Sequence, residues 1–155
     1  MTIETERLLL YPISNEQITA LIEDETNVEI KAAYTEMFQN GIKYPEERIW
    51  YVPWFIALKK EPQVIVGDFC FKGFGPMVEI GYGLRSGFCK KGYMTEAVRA
   101  VCEWALAQDG VSTVEAETDS DNTSSQRVLL KAGFVPNGKY GEEGPRYTFS
   151  VPGLS

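Results

Sequence analysis

The chain of 155 residues contains no histidine. Histidine-dependent nucleophile triads, histidine-ligated zinc and imidazole proton shuttles are thereby excluded. A general base has to be a carboxylate, a cysteine, a tyrosine, an amine or water. Cysteine is scarce: Cys70, Cys89 and Cys102 are odd in number and far apart. This argues against a disulfide framework or a zinc site, so cytoplasmic thiols and no metal are expected. Long apolar runs are missing too. None approaches the roughly 18 residues of a membrane span, and Met1-Thr-Ile-Glu-Thr-Glu6 lacks the basic, then apolar, start of a secretory signal. Neither a membrane nor export is expected. Basic residues are outnumbered, 15 against 22 acidic, for a formal charge of −7. That balance disfavours non-specific nucleic-acid binding and mildly favours cationic small molecules.

What is present suits a single domain over residues 1–155. A hydrophobic content of 44% fills a core at this length without disulfides or metal. Arg7-Leu-Leu-Leu-Tyr-Pro12 reads as a strand. Ser14 then caps a helix carrying Ile18, Leu21 and Ile22. Ile30, Ala33, Tyr34, Met37 and Phe38 predict a second helix, with Asn40-Gly41 as its C-terminal signal. After a turn near Pro45 to Arg48, three strands follow as a meander, Trp54 to Leu58, Val64 to Phe71 and Val78 to Leu84.

Met94 to Gln108 has the cleanest helical pattern. Met94, Ala97, Val98, Val101 and Ala105 line one face, and Glu96, Arg99 and Glu103 are spaced to pair on the other. Val114, Ala116 and Thr118 alternate with Thr113, Glu115 and Glu117, predicting a strand with one wet face. Asn122 caps a short helix that ends at Gly133, before Phe134 and Val135, and Arg146 to Val151 supplies a final strand. The order βαα, βββ, αβ, αββ describes one mixed α/β domain.

Two places attract chemistry. In the strand from Val78 to Leu84, Glu79 shares a face with Gly81 and Gly83. Either the strand is bulged with a solvated glutamate, or another group approaches its bare backbone. The loop Arg85-Ser-Gly-Phe-Cys-Lys-Lys-Gly92 then brings three basic residues and no acid to the start of the strongest helix. Free N–H groups and the helix dipole make that start an anion site, and Gly92 lets the backbone approach, so a phosphate-bearing cofactor is the natural guest. The P-loop Gly-Lys-Ser/Thr is absent, and the glycines do not fit the dinucleotide fingerprint.

Glu79-Ile-Gly-Tyr-Gly-Leu-Arg85, Lys91-Gly-Tyr-Met-Thr-Glu-Ala97 and Asn122-Thr-Ser-Ser-Gln-Arg-Val-Leu-Leu-Lys-Ala-Gly-Phe134 resemble successive motifs of the GNAT superfamily of acyl-CoA-dependent N-acetyltransferases. The likeness is greatest to its ribosomal-protein-alanine acetyltransferase-like branch, the RimJ/RimL type, whose opening Glu4-Thr-Glu-Arg-Leu-Leu-Leu10 also fits. The resemblance implies a splayed, mostly antiparallel sheet of about seven strands flanked by about four helices. It implies acetyl-CoA between the glycine-bearing strand and the parallel strand near Val114 to Thr118. The pantetheine would pair with Tyr82, Gly83 and Leu84, and the pyrophosphate would lie on Cys89, Lys90, Lys91, Gly92, Tyr93, Met94 and Thr95. Asn122 and Ser125 match residues near the pantetheine arm and thiol, with Ser125 a proton donor to the leaving thiolate.

The loop departs from the family pattern at Cys89, usually Arg or Gln, and at Met94, usually Gly or Ala, where the side chain is expected to crowd the site. A tyrosine that serves as acid in many relatives is missing between Gln126 and Phe134, leaving Ser125 or Tyr140. Tyr34, Met37, Phe38, Trp50, Tyr51 and Trp54 fall in regions that border the acceptor groove of this family, where aromatics beside scattered acids suit a cationic amine, although any single one of them is expected to be a core residue. The expectation is transfer of acetyl to a primary amine, of a protein N-terminus or a small molecule, by direct attack with Glu79 as base through water. A catalytically silent acyl-CoA-binding module is the alternative, and a homodimer is compatible with either.

Overall fold

The computed structural model describes residues 1–150. Eight strands form one sheet in the order β1-β2-β3-β4-β5-β6-β8-β7. They are β1 (Ile3–Glu4), β2 (Leu8–Pro12), β3 (Trp54–Leu58), β4 (Ile65–Phe71), β5 (Met77–Leu84), β6 (Thr113–Glu117), β7 (Phe134–Tyr140) and β8 (Pro145–Phe149). The helices are α1 (Asn15–Asp24), α2 (Val28–Lys43), α3 (Tyr93–Leu106) and α4 (Thr123–Ala132), with a 3-10 turn at Pro45–Trp50. The expected mixed α/β architecture is present, with one short N-terminal strand added. The final strand is described as far as Phe149, and Val151 lies outside the described residues.

Every neighbouring pair runs antiparallel except β5 and β6, which are parallel and joined by the α3 crossover. A parallel pair needs such a crossover because a short turn cannot bring the chain back to the same end of the sheet. The meander β3-β4-β5 alternates its side chains, so the two faces carry different helices. Trp54, Ile56, Phe69, Phe71, Val78 and Ile80 enter the main core with Met94, Val98, Val101 and Leu129 of α3 and α4. Phe55 enters a smaller core with Ile13, Ile18 and Val52, against which Leu21, Ile22 and Phe38 of α1 and α2 pack.

Local signals account for most helix ends. Ser14 and Gln17 exchange side-chain-to-backbone bonds in a capping box at α1, and Asn27 accepts from the N–H groups of Glu29 and Ile30 at α2. Asn40-Gly41 does not end α2, which runs on to Lys43. Gly41 is buried, and a Cβ there would meet Val52 Cγ1 at 2.8 Å. It is glycine because the helix presses on the segment before β3, a demand that helical periodicity does not reveal.

Two other expectations change in the folded chain. Glu96 does not join Arg99, which pairs with Glu103 alone; it turns back to Arg7, Nε to Oε1 2.7 Å. The outer face of β6 is not wet, because Glu115 and Glu117 are covered by Arg146 from β8. Trp50 and Trp54 are core residues, 5% and 0% exposed, in an aromatic cluster with Phe71 and Trp104.

Candidate active site

The parallel pairing of β5 with β6 covers only Met77↔Thr113 to Ile80↔Ala116. Beyond it β5 continues through Gly81, Tyr82, Gly83 and Leu84, paired on its other side to β4 (Cys70↔Gly81 to Gly67↔Leu84), while β6 goes with β8. The β6-facing edge of these four residues therefore has no strand partner. Backbone groups left open in this way need water or a ligand. An extended molecule that carries amides of its own is a suitable occupant.

The loop after β5 leads to α3. Its conformation depends on left-handed residues at Gly87 (φ +91°), Lys90 (φ +63°) and Gly92 (φ +76°). Gly92 is the N-cap of α3 and supplies no side-chain acceptor, so the first N–H groups of the helix stay available at its positive end. Arg7 braces this loop from outside. Its Nη1 donates to the Lys91 carbonyl at 2.9 Å, its guanidinium lies 4.5 Å from the Tyr93 ring centroid, and Glu96 accepts from its Nε.

Two adjoining clefts occupy the space between the open edge of β5, the start of α3 and the first turns of α4. One, about 260 Å³, is lined by Tyr82, Gly83, Leu84, Cys89, Met94, Asn122, Ser124, Ser125 and Val128. The other, about 310 Å³, adds Lys90, Gly92, Tyr93 and Thr95 with Arg127 and Lys131. Nearly all the residues singled out on the cofactor side thus converge. Lys91 lines neither cleft, and only its carbonyl is engaged, with Arg7. Met94 is 2% exposed and belongs mainly to the core, so its side chain is a floor of the clefts.

Arg127 and Lys131 were not anticipated. With Ser124 and Val128 they recur at three- and four-residue spacing along α4, a signal available in the sequence but easily read as a solvated face. Asn122 caps α4 by accepting from the Ser125 N–H at 3.0 Å, which holds Ser125 in the first turn beside β5.

On the other face of β5, Glu79 is fully engaged. Its Oε2 takes Lys72 Nζ at 2.7 Å and its Oε1 takes Arg146 Nη2 at 3.0 Å. Arg146 also donates to Glu115 and Glu117 at 3.0 and 2.8 Å, so one guanidinium joins three strands. Burial alone would lower the Arg146 pKa, but the hydrogen bonds it donates to Glu117, Glu115 and Glu79 raise it above its ordinary value. The backbone N–H of Glu143, then Arg146, holds the Glu117 carboxyl below its usual range.

Beside Gly81 a further recess reaches from Lys72, Glu117 and Glu143 through to Tyr82, Asn122 and Ser125, linking the two faces of the sheet at the point where β5 and β6 part. The side away from α3 also bears a cleft of about 360 Å³ between α2 and β4, lined in part by Met37, Tyr51, Cys70 and Lys72. Of the expected acceptor-side aromatics, Tyr51 lines it. Phe38 packs instead into the smaller core. Among the described residues no group of three or more Asp, Glu or Cys is arranged to hold a metal, and no helix is long and apolar enough to cross a membrane.

A family model described as the acetyltransferase (GNAT) domain matches residues 7–135. The Bacillus subtilis (strain 168) protein named Uncharacterized N-acetyltransferase YjdG is 37% identical over 91 residues, 57% of this chain and 54% of that protein, so the match spans about half the relative's length. YoaA of the same strain, also named an N-acetyltransferase, is 26% identical over 151 residues, covering 88% of this chain and 84% of YoaA. Among solved structures, the ribosomal-protein-S5-alanine acetyltransferase from Vibrio fischeri superposes with a TM-score of 0.71 at 16% identity, over 96% of this chain and 94% of the other. RimL, a ribosomal L7/L12 α-N-protein acetyltransferase in complex with coenzyme A, superposes with a TM-score of 0.73 at 16% identity, over 97% and 98%. At such identities the two structures speak for the fold.

Proposed function

The chain belongs to the acetyltransferase (GNAT) family, and we propose that it is an N-acetyltransferase that moves acetyl from acetyl-CoA to a primary amine by direct attack. The observation that carries this reading is the parting of β5 from β6 after Ile80↔Ala116, beside an uncapped helix start with a basic rim. The residues present fit the cosubstrate. Open main-chain groups of Tyr82, Gly83 and Leu84 suit the amides of a pantetheine arm. The N–H groups of Tyr93, Met94 and Thr95, with Lys90, Arg127 and Lys131, suit a pyrophosphate and its neighbouring phosphate.

Acetyl-CoA supplies an activated acyl group, which leaves this chain two tasks. The departing thiolate needs a donor, and the hydroxyl of Ser125, a residue whose backbone N–H is held by Asn122 in the first turn of α4, is the group assigned to it. The acceptor arrives as an ammonium and has to lose a proton before it attacks. Glu79 is assigned this role through an ordered water. Both of its oxygens already receive a cation, so a bridging water that uses a remaining lone pair is the route open to it.

The test is incubation of the full chain with acetyl-CoA and a panel of primary amines, with free CoA thiol as the readout. Release with at least one amine is the expected result. Calorimetric binding of CoA without release on any amine would instead identify a silent acyl-CoA-binding module, and absence of CoA binding would overturn both readings.

A further inference from the structure

The structure assigns to Arg7 the setting of the phosphate cradle: it fixes the peptide between Lys91 and Gly92 so that the N–H, and not the carbonyl, is presented to the cosubstrate. Arg7 is a positioning residue in this role, which rests on the cofactor assignment of the acetyl-transfer reading above.

The need for such a residue comes from the loop's own backbone. Lys90 and Gly92, on either side of Lys91, both have positive φ, +63° and +76°. At Lys90 this is a sparsely populated conformation for a residue with a Cβ, so contacts from outside the loop have to maintain it. At Gly92 the difficulty is the reverse. Glycine adopts either sign of φ about equally readily, so it lets the preceding peptide turn over at little cost. In a trans peptide the carbonyl of one residue and the N–H of the next point in opposite directions. One orientation of the Lys91–Gly92 peptide therefore adds a donor to the start of α3, and the other puts there a carbonyl oxygen, which repels an anion.

Arg7 decides between the two. Its Nη1 donates to the Lys91 carbonyl at 2.9 Å and draws that oxygen towards the turn between β1 and β2. The Gly92 N–H is thereby aimed the other way. Gly92 lines the cleft of about 310 Å³ to which the pyrophosphate is assigned, and neither Arg7 nor Lys91 lines it.

The guanidinium is itself held in place. Its Nε donates to Glu96 Oε1 at 2.7 Å, the Arg7 backbone N–H donates to Glu96 Oε2 at 2.9 Å, and the Tyr93 ring centroid lies 4.5 Å away. The Thr5 hydroxyl donates to the same Oε2 and accepts from the Leu8 N–H. Glu96 belongs to the first turn of α3, so the turn before β2 and the start of the helix form one bracket. Burial raises the Glu96 pKa, but the hydrogen bonds from Thr5 and Arg7 outweigh it and hold the carboxyl below its usual range, so the bracket stays ionised at neutral pH. Arg7 and Glu96 cancel in charge. What the pair gives an anion is the direction of a donor.

Glu96→Ala is the deciding variant, because positioning and charge predict opposite signs. It removes a negative charge from the helix start, and a purely electrostatic role would make CoA bind more tightly. It also releases Arg7, so under the proposal CoA titrated calorimetrically into the full chain should bind about three-fold or more weakly. Arg7→Met keeps an unbranched side chain against Tyr93 but removes the donor to the Lys91 carbonyl, and should weaken CoA by about ten-fold or more. The two changes together should lose no more than about two-fold beyond Arg7→Met alone, since the bracket acts as a unit. In steady-state kinetics Arg7→Met should raise the KM for acetyl-CoA by a larger factor than it lowers kcat. Unchanged or tighter CoA binding by Glu96→Ala overturns the proposal, as does an Arg7→Met affinity within about two-fold of the unaltered protein. Melting curves show whether each variant folds, and if Arg7→Met does not, the sign of the Glu96→Ala effect decides alone. A chain that binds CoA but releases none on any amine fails the acetyl-transfer reading and leaves these affinity comparisons standing, so the two failures are distinguishable.

Discussion

The hydroxyl oxygen of Tyr82 lies 3.0 Å from that of Ser125, and 3.2 Å from the Ser125 carbonyl, which ties the open end of β5 to the first turn of α4. Burial pushes the Tyr82 phenol up to about 12, with the Ser125 hydrogen bond opposing, so Tyr82 remains a neutral donor throughout the physiological range. The side chain of a strand residue assigned to the cofactor through its backbone therefore also orients the hydroxyl assigned to the leaving thiolate.

Ser125→Ala should lower kcat more than it raises the KM for acetyl-CoA, because a donor to the thiolate acts only as charge develops on sulfur. Tyr82→Phe should shift the same parameter in the same direction by a smaller factor, roughly three- to ten-fold, since it removes one hydrogen bond from the donor. Steady-state kinetics in acetyl-CoA check both. An effect confined to KM would reduce Ser125 to a cofactor contact.

At Gly92 a charge and a backbone effect are separable. The residue sits at φ +76°, and a Cβ would come 3.4 Å from Arg7 Nη2. Asparagine tolerates left-handed backbone better than most residues. Gly92→Asn should therefore leave a folded protein with moderately reduced CoA affinity. Gly92→Asp adds a negative charge beside the proposed pyrophosphate and should weaken CoA by about a hundred-fold or more. Calorimetry on the pair gives the comparison, and equal affinities would remove the anion site.

The three cysteines should alkylate in a fixed order. Burial raises the Cys70 thiol to about 11, and burial raises Cys102 well above its ordinary value. At pH 8 only on the order of one Cys70 in a thousand is then thiolate. Cys89 is exposed and lines the cofactor cleft, so it should react first and CoA should protect it. Mass-spectrometric mapping with and without CoA reads the order directly. Equal labelling of all three would contradict it.

Glu79→Gln should reduce turnover by about 10² or more at neutral pH, with partial recovery as pH rises and the acceptor amine deprotonates in solution. The same change also removes the charge that pairs with Lys72 and Arg146 and one of the two acceptor oxygens, while Arg146 keeps Glu115 and Glu117. A melting curve and a CoA titration on the variant separate the two effects. Wild-type turnover with an unchanged pH profile would leave Glu79 as a structural partner of Arg146.

The features legible in the sequence are those that short stretches decide. The capping box at Ser14, the apolar stripe of α3, the glycine before Tyr93 and the Asn122 cap each rest on residues within one or two turns of one another, where spacing and side-chain chemistry suffice. The order of strands and helices follows from them, and with it the two faces of β5.

Tertiary structure decided what those local elements meet. Gly41 carries a composition signal for a helix end, and only the approach of Val52 shows that it is a packing residue inside α2. Glu115 and Glu117 alternate as a solvated face would, until Arg146, some thirty positions later, covers them from β8. Periodicity says which way a side chain points, but the partner it finds there is set by strand order and register, which join residues far apart in the chain.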